Sequence, residues 1–158
     1  MSVTLRPIEQ VDLPVFFEHQ QHKPAQFMAA FVHEDMTDRK QFEAHWAKLM
    51  SSDTVLKYSV EVDGKLVGHI MSFEMVGDRE ITCWIDHHYW GKGIATAAIE
   101  LFIEIESTRP LHGRAAKDNI ASIRSMEKCG FVLVAHERGF AHGRGKEIDE
   151  VVMVLKAD

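Results

Sequence analysis

The stretch with the clearest chemistry is residues 90–96, which read Trp-Gly-Lys-Gly-Ile-Ala-Thr. A strand-like run, 81–85, precedes it, and an apolar helical run, 95–106, follows it. A turn from a strand into a helix leaves several backbone N–H groups without partners, all pointing one way in the positive field of the helix dipole. Gly91 and Gly93 lack the Cβ atom that would keep an anion away from this backbone. We expect the phosphate of a nucleotide-type cofactor there.

Two common phosphate-binding motifs do not fit this turn. The Rossmann dinucleotide motif needs a third Gly or Ala three residues after Gly93, where the chain has Thr96. That motif also follows the first strand of a βαβ unit, whereas a predicted antiparallel hairpin precedes this turn. The P-loop is excluded because its Gly-Lys-Ser/Thr ending is missing.

Hydrophobic periodicity predicts the elements that position the turn. Two β-rich runs flank Asp63-Gly64, a dipeptide that tolerates the positive φ angles of a tight hairpin. The predicted strands are 3–8, 55–62, 66–75, 79–86, 111–116, 131–137 and 148–155, and the predicted helices are 12–19, 39–50, 95–108 and 119–128. An antiparallel meander combined with strand-helix-strand crossovers indicates an α+β sheet with helices on both faces.

Composition limits the class of protein. Because the 158 residues contain no internal repeat and no low-complexity linker, we expect one domain over 1–158. The formal net charge of -6 argues against nucleic acid as a partner. No signal peptide and no apolar run of about 20 residues is found, so we expect a soluble, cytoplasmic protein without a membrane partner. Cys83 and Cys129 lack metal-site spacing and are expected to be buried thiols.

Two spaced motifs lie around the long predicted helix: Trp90, Gly93 and Ala95, then Asn119, Ser122 and the Lys-Cys-Gly-Phe run at 128–131. Together they resemble the Gcn5-related N-acetyltransferase (GNAT) superfamily, and within it the branch of the ribosomal-protein N-terminal acetyltransferases. The family motif begins with Gln or Arg, a position that Trp90 occupies here, while its glycine half matches. The likeness extends from residues 5–7 to the last strand. It implies a three-layer α/β/α fold with a mixed, mostly antiparallel central sheet.

The resemblance implies acetyl-coenzyme A as the cofactor-like substrate, with its diphosphate on the turn and the helix start. Ile85 stands where the family pairs a splayed strand with the pantetheine arm, and Asn119 stands where it bonds the pantetheine or holds the splayed strands. The implied cofactor-binding residues are Ile85, Trp90, Gly91, Lys92, Gly93, Ile94, Ala95, Thr96, Asn119 and Ser122.

Acetyl transfer to an amine calls for a base, because free alkylamines have a pKa of about 10.4 and α-amines of about 8. Two branches of the family place a Glu at the positions held here by Arg79 and Arg114. The remaining candidates are Glu80 and Glu74, with His112 behind them, or each is a solvated residue at a strand edge. Glu80 is one residue from the family position, and a one-residue slip reverses the face of a strand unless a bulge intervenes.

The departing thiolate needs a proton, which the family commonly takes from a Tyr seven residues after the motif's Asn. Met126 stands there and cannot donate. Ser122, one helical turn from Asn119, is the substitute that we favour, or else its hydroxyl bonds to the helix backbone. Asn119 could itself be a helix cap.

The ten histidines raise the question of a metal. Asp86, His87 and His88 are adjacent, but side chains of adjacent residues on an extended segment diverge, and no third ligand stands at a recognised spacing. We therefore expect no metal.

Two further segments bear on the acceptor. The stretch between the first helices lines the acceptor side in this family, and it holds Phe27, Phe31, His33 and Glu34, which either shape specificity or belong to the core and loops. The glycine-rich loop at 139–146 is either a flexible lid or a plain hairpin connection.

These observations predict an acetyl-CoA-dependent N-acetyltransferase that transfers the acetyl group directly to a primary amine, either a small amine or a protein N-terminus. One alternative is an acyl-CoA-binding sensor without catalysis, and another is an acyltransferase with a different acyl donor. The sequence leaves the acceptor and the oligomeric state open, a homodimer included.

Overall fold

The computed structural model describes residues 1–157. Its centre is a seven-stranded sheet in the order β1-β2-β3-β4-β5-β7-β6. The strands are β1 (Val3–Pro7), β2 (Leu56–Val62), β3 (Lys65–Met75), β4 (Asp78–Ile85), β5 (Leu111–Ala116), β6 (Val132–Ala141) and β7 (Lys146–Leu155). The helices are α1 (Leu13–His19), α2 (Lys23–Ala29), α3 (Arg39–Ser51), α4 (Ile94–Ile105) and α5 (Ile120–Lys128), with 3-10 turns at Gln10–Asp12 and His87–Tyr89.

The sheet is mixed, because β4 and β5 run parallel and the other neighbouring strands run antiparallel. Helices cover both faces. Apolar residues of α4, among them Phe102, pack with Ile70 and Ile81 on one face of the sheet. On the other face, Phe16 of α1 and Trp46 of α3 pack with Met71. This confirms the predicted three-layer α+β class.

The polar, His-rich stretch after α1 forms a further helix, α2, which the sequence did not predict. The Nδ1 atom of His22 accepts a hydrogen bond from the Ala25 N–H at 3.2 Å, and Pro24 occupies the first turn. Proline is pre-organised for that place in a helix. Histidine is not among the preferred N-cap residues, so the start signal was not recognised.

The glycine-rich segment 139–146 is neither a lid nor a long loop, because β6 and β7 extend to Ala141 and Lys146 and leave only a tight turn. That turn is fastened to α2 and its end. The Gly143 N–H donates to the Ala30 carbonyl at 2.9 Å, and the Arg144 Nε donates to the Phe27 carbonyl at 2.6 Å. These bonds favour the hairpin interpretation.

A buried carboxylate fixes the start of α1 against β1 and β2. Asp12 accepts two hydrogen bonds from Arg6, both at 2.8 Å, and others from the Ser59 hydroxyl and the Glu9 N–H. Burial alone would raise the pKa of Asp12, but these hydrogen bonds, led by those of Arg6, hold the pKa below its ordinary value. The charged carboxylate therefore stabilises the fold.

We expect Asp12→Asn to lower the free energy of unfolding by about 3 kcal/mol at pH 7, because Arg6 loses the buried carboxylate and keeps only Glu61 as an ion-pair partner. Urea unfolding measures this. A carboxyl whose pKa is lowered in the folded state stabilises the fold at a pH above its unfolded pKa of about 3.9, and it loses that stabilisation as the pH falls. The difference in free energy of unfolding between wild type and Asp12→Asn should therefore narrow in acid. Asp53→Asn, on an exposed aspartate, is the matched control. A gap that widens in acid would contradict this account.

Candidate active site

The central feature of the site is an opening between β4 and β5. The two strands pair only at Arg79–Leu111, Glu80–His112 and Ile81–Gly113. The Asp86 N–H donates to the Val67 carbonyl at 2.8 Å. Antiparallel pairing alternates, so Cys83 and Ile85 of β4 direct their N–H and C=O groups away from β3. The opening is therefore edged by main-chain groups that can pair with an extended, amide-bearing ligand.

Trp90 closes part of that edge. Its indole Nε1–H donates to the Ile85 carbonyl at 2.9 Å, while 45% of the residue's surface stays exposed. The carbonyl at the predicted pantetheine position is thus already engaged by a side chain of the turn at residues 90–96. The tryptophan that replaces the family's Gln or Arg ties the turn to β4.

The turn after β4 presents a row of backbone donors. Gly91 and Gly93 have φ angles of +74° and +76°, a region that L residues with a Cβ rarely adopt. The first main-chain bond of α4 runs from the Ala97 N–H to the Gly93 carbonyl at 3.1 Å. Within residues 1–157, no protein acceptor pairs with the N–H groups of 91–96. Gly93 is the N-cap and has no side chain to satisfy them, so the arrangement suits an anion.

The face of the sheet that α1 to α3 cover, opposite to α4, carries a cluster of charges. It lies beside Ile81 and Gly113, the apex at which the β4–β5 opening begins. Arg114 donates from Nε to Glu80 at 2.7 Å, and from Nη1 to Glu137 at 2.8 Å and Glu150 at 3.1 Å. Three carboxylates thus share one guanidinium. Its hydrogen bond lowers the pKa of Glu137, whereas burial raises the pKa of Glu150. We call these four residues the Arg114 cluster.

The sequence did not identify Glu137 and Glu150 because nothing in their local context marks them. They lie on different strands and become neighbours only through the β6–β7 register, in which Glu137 stands opposite Glu150. In the sequence, Arg114 stands out only because it replaces a Glu found in one branch of the family. Its role depends on long-range pairing that no local motif reports.

The two predicted base candidates occupy different places. Glu80 is buried, with 7% of its surface exposed, and stands next to Ile81, the last residue of β4 that pairs with β5. Glu74 lies on β3 opposite Arg79, at the far end of β4 from Ile85, with a side chain that is 58% exposed. Only Glu80 stands beside the opening. His112, paired with Glu80 across the strands, has Nε2 3.9 Å from an Asp78 carboxylate oxygen.

Asn119 serves as a helix cap, one of its two expected roles. Its Oδ1 accepts from the Ser122 N–H at 3.3 Å, and its Nδ2 donates to the Met28 carbonyl at 3.2 Å. The side chain therefore joins the start of α5 to α2. Ser122 is half-buried in the first turn of α5, and its hydroxyl has no hydrogen-bond partner among the residues that the structure describes. Met126 is buried, with its sulfur against Gly113 of β5.

The expectation that Asp86, His87 and His88 diverge was wrong. Residues His87–Tyr89 form a 3-10 turn instead of an extended segment, so one ligand atom from each side chain lies within 4.8 Å of the others. Asp86 Oδ1 is 3.0 Å from His88 Nδ1 and 3.5 Å from His87 Nδ1. The turn thus brings together three groups that could hold a metal ion.

An open groove of about 620 Å³ lies outside the β4–β5 opening. It is lined by charged side chains of both signs from the β6–β7 hairpin and the end of β5, among them Lys117, Arg138 and Asp149. The position of this groove and its mixed charge distinguish it from the turn at residues 90–96. No helix among residues 1–157 is both long enough and apolar enough to cross a membrane.

Three solved structures illustrate the fold similarity. Mycobacterium smegmatis RimJ in complex with CoA-disulfide has a TM-score of 0.82 and 18% identity, covering 98% of this chain and 82% of that one. The ribosomal-protein-alanine N-acetyltransferase from Brucella melitensis has a TM-score of 0.79 and 19% identity, covering 98% and 99%. The spermidine N-acetyltransferase from Vibrio cholerae, in complex with CoA and spermine, has a TM-score of 0.77 and 21% identity, covering 97% and 95%.

At these identities the likeness establishes the fold. A comparison with curated proteins found no significant match. A family model for the acetyltransferase (GNAT) domain, however, matches residues 2–132, which is most of the chain. The matched part includes the β4–β5 opening, the turn at residues 90–96 and α5. The chain belongs to the GNAT family of acetyltransferases.

Proposed function

We propose that this acetyltransferase moves the acetyl group of acetyl-CoA directly to a primary amine, without an acyl-enzyme. The observation that carries the proposal is the pairing of two unlike sites on one opening. A row of unpaired N–H groups at 91–96 suits the diphosphate, and the Arg114 cluster, which includes Glu80, suits a cation. One structural relative is a spermidine N-acetyltransferase in complex with both CoA and spermine, so the same fold can hold a cofactor and a polyamine together.

On the cofactor side, the diphosphate would lie against the N–H groups of the turn, with Lys92 adding a positive charge. The pantetheine arm would run into the β4–β5 opening and pair with the main chain of Cys83 and Ile85. Trp90 would flank it, while Asn119 and Ser122 would border it from α5. The full proposed set is Ile85, Trp90, Gly91, Lys92, Gly93, Ile94, Ala95, Thr96, Asn119 and Ser122.

On the acceptor side, the excess of carboxylates over the one guanidinium favours a substrate that arrives as an ammonium ion. Glu137 is half exposed and Glu80 is buried, so the negative charge extends from solvent toward the opening. A small amine and a protein N-terminus both carry the required charge. Charge attraction of this kind raises the local concentration of a cationic substrate.

In the proposed reaction, Glu80 accepts the ammonium proton, directly or through water, and the neutral amine attacks the thioester carbonyl carbon. A main-chain N–H of β4 near Ile85 stabilises the oxyanion. The carbon–sulfur bond breaks, and the amine's second proton passes to water. The thiolate receives a proton either from water or from Ser122, which then regains one from water. Arg114 holds Glu80 through one oxygen and acts as a positioning residue.

We expect Gly93→Asp to weaken CoA binding about tenfold more than Gly93→Asn, roughly 1.4 kcal/mol, since the two side chains have the same shape but Asp repels the diphosphate. Calorimetric titration with CoA measures the difference. Both variants should lose about 1 kcal/mol of stability because of the left-handed backbone at this glycine. Equal CoA affinity in the two variants would show that the diphosphate does not lie at this turn.

We expect Glu80→Gln to lower kcat/KM by about 100-fold or more, because the amide still accepts from Arg114 but cannot take a proton. Thiol release with a panel of amines and peptides measures it, and the Kd for CoA should stay unchanged. Glu74→Gln is the matched control, expected to retain full activity. If Glu74→Gln were the variant that loses activity, the assignment would be reversed.

We expect Glu137→Gln to raise the KM for a cationic amine by about threefold or more while changing kcat little, because Glu137 attracts the substrate without touching the reacting atoms. Arg114 keeps Glu80 and Glu150 as partners, so the fold should not change. The effect should shrink at high ionic strength. Glu147→Gln, whose carboxylate lies near Arg138 on the hairpin, is the control. An unchanged KM at low salt would argue against the cluster as the acceptor side.

A further inference from the structure

The residues directly after β4 form a second candidate site that acetyl transfer does not use. Asp86 lies within 3.5 Å of the Nδ1 atoms of both following histidines, and the donor atoms of all three residues lie within 4.8 Å of one another. We propose that Asp86, His87 and His88 bind one divalent transition-metal ion. This inference rests on these side chains alone and does not depend on the proposed acetyl transfer.

The separations suit such an ion with little movement. Zinc binds imidazole nitrogen and carboxylate oxygen at about 2.0–2.2 Å with tetrahedral geometry, so neighbouring ligand atoms lie about 3.4 Å apart. The two Asp86 separations, 3.0 Å to His88 and 3.5 Å to His87, stand on either side of that value. The 3-10 turn thus places the carboxylate oxygen near the required spacing from each imidazole nitrogen.

Groups around the three ligands hold them in place. The His87 ring stacks on His22 with centroids 3.4 Å apart and planes 3° from parallel. His19 places Nε2 3.8 Å from the second oxygen of Asp86, and its side chain is only 9% exposed. Such outer contacts orient ligands and raise affinity. The Nδ1 atom of His87 is buried and has no hydrogen-bond partner among the described residues, so it is free to bind an ion.

The donor set defines the class of ion. Two imidazoles and one carboxylate suit Zn²⁺, Co²⁺, Ni²⁺ or Cu²⁺, whereas Ca²⁺ and Mg²⁺ prefer oxygen ligands. The side chain of His88 is 72% exposed, so the outer side of the site faces solvent and water can complete the coordination.

The experiment is a titration of the full chain, without an affinity tag, with Zn²⁺ by calorimetry and with Co²⁺ by visible absorption. We expect one ion per chain, and Co²⁺ bands of tetrahedral or five-coordinate type. His88→Ala should weaken binding about tenfold or more, and Asp86→Asn should do the same. Because His88 is exposed, its removal should leave the thermal unfolding transition unchanged, which separates lost ligation from lost folding.

His136→Ala is the matched control, since His136 is an exposed histidine on β6, away from the turn. It should bind Zn²⁺ as the wild type does. The proposal is overturned if no ion binds, if more than one binds with similar affinity, or if His88→Ala binds as tightly as the His136→Ala control. A loss confined to His88→Ala and Asp86→Asn supports it.

Discussion

The early end of pairing between β4 and β5 is the constraint on which the site depends. A strand edge without a neighbour leaves N–H and C=O groups that need partners. After Ile81, β4 has such an edge on the side of β5, and Trp90 supplies one donor to it at Ile85. At the apex, Gly113 has no Cβ, which lets the Met126 sulfur of α5 pack against the strand. Met126 thus packs where the gap begins, and the Trp90 indole occupies one acceptor farther along its edge.

Strand alternation at the same apex separates two charge networks. Arg79 points toward α4 and donates to Glu106 at 3.2 Å, while Glu80, the next residue, points to the other face and accepts from Arg114. In the first network Ser72 also donates to the buried Glu106, and Arg79 lies 3.7 Å from the exposed Glu74. The second network joins Glu80 through Arg114 to Glu150 and to the half-exposed Glu137. The two faces of the strand therefore carry separate charge networks.

Much of the fold followed from local signals. Three features depend on interactions within a few residues, so their positions could be predicted from the sequence. They are the Asp63-Gly64 hairpin, the glycines of the turn at residues 90–96 and the Asn119 cap. What could not be predicted depends on distant pairing or on an atypical cap. The Arg114 cluster needs the register of four strands, and α2 begins at a histidine.

The base and metal questions show the same limit at the scale of one residue. The sequence could not choose between Glu80 and Glu74, because the choice depends on the face and end of the sheet that each residue occupies. The divergence expected of Asp86, His87 and His88 assumed an extended chain, and a single 3-10 turn reversed it. A change in two or three backbone angles is below what hydrophobic periodicity can report.

The fastening of the β6–β7 turn to α2 has a consequence for how this protein could acquire new substrates. Arg144 donates two hydrogen bonds of 2.8 Å to Asp118 and another to the Phe27 carbonyl, which links the turn to the segment after β5 and to α2. Lengthening the turn would release all of them together. Natural or laboratory evolution of acceptor preference would therefore proceed by substituting side chains on these linked segments, not by changing the length of the turn.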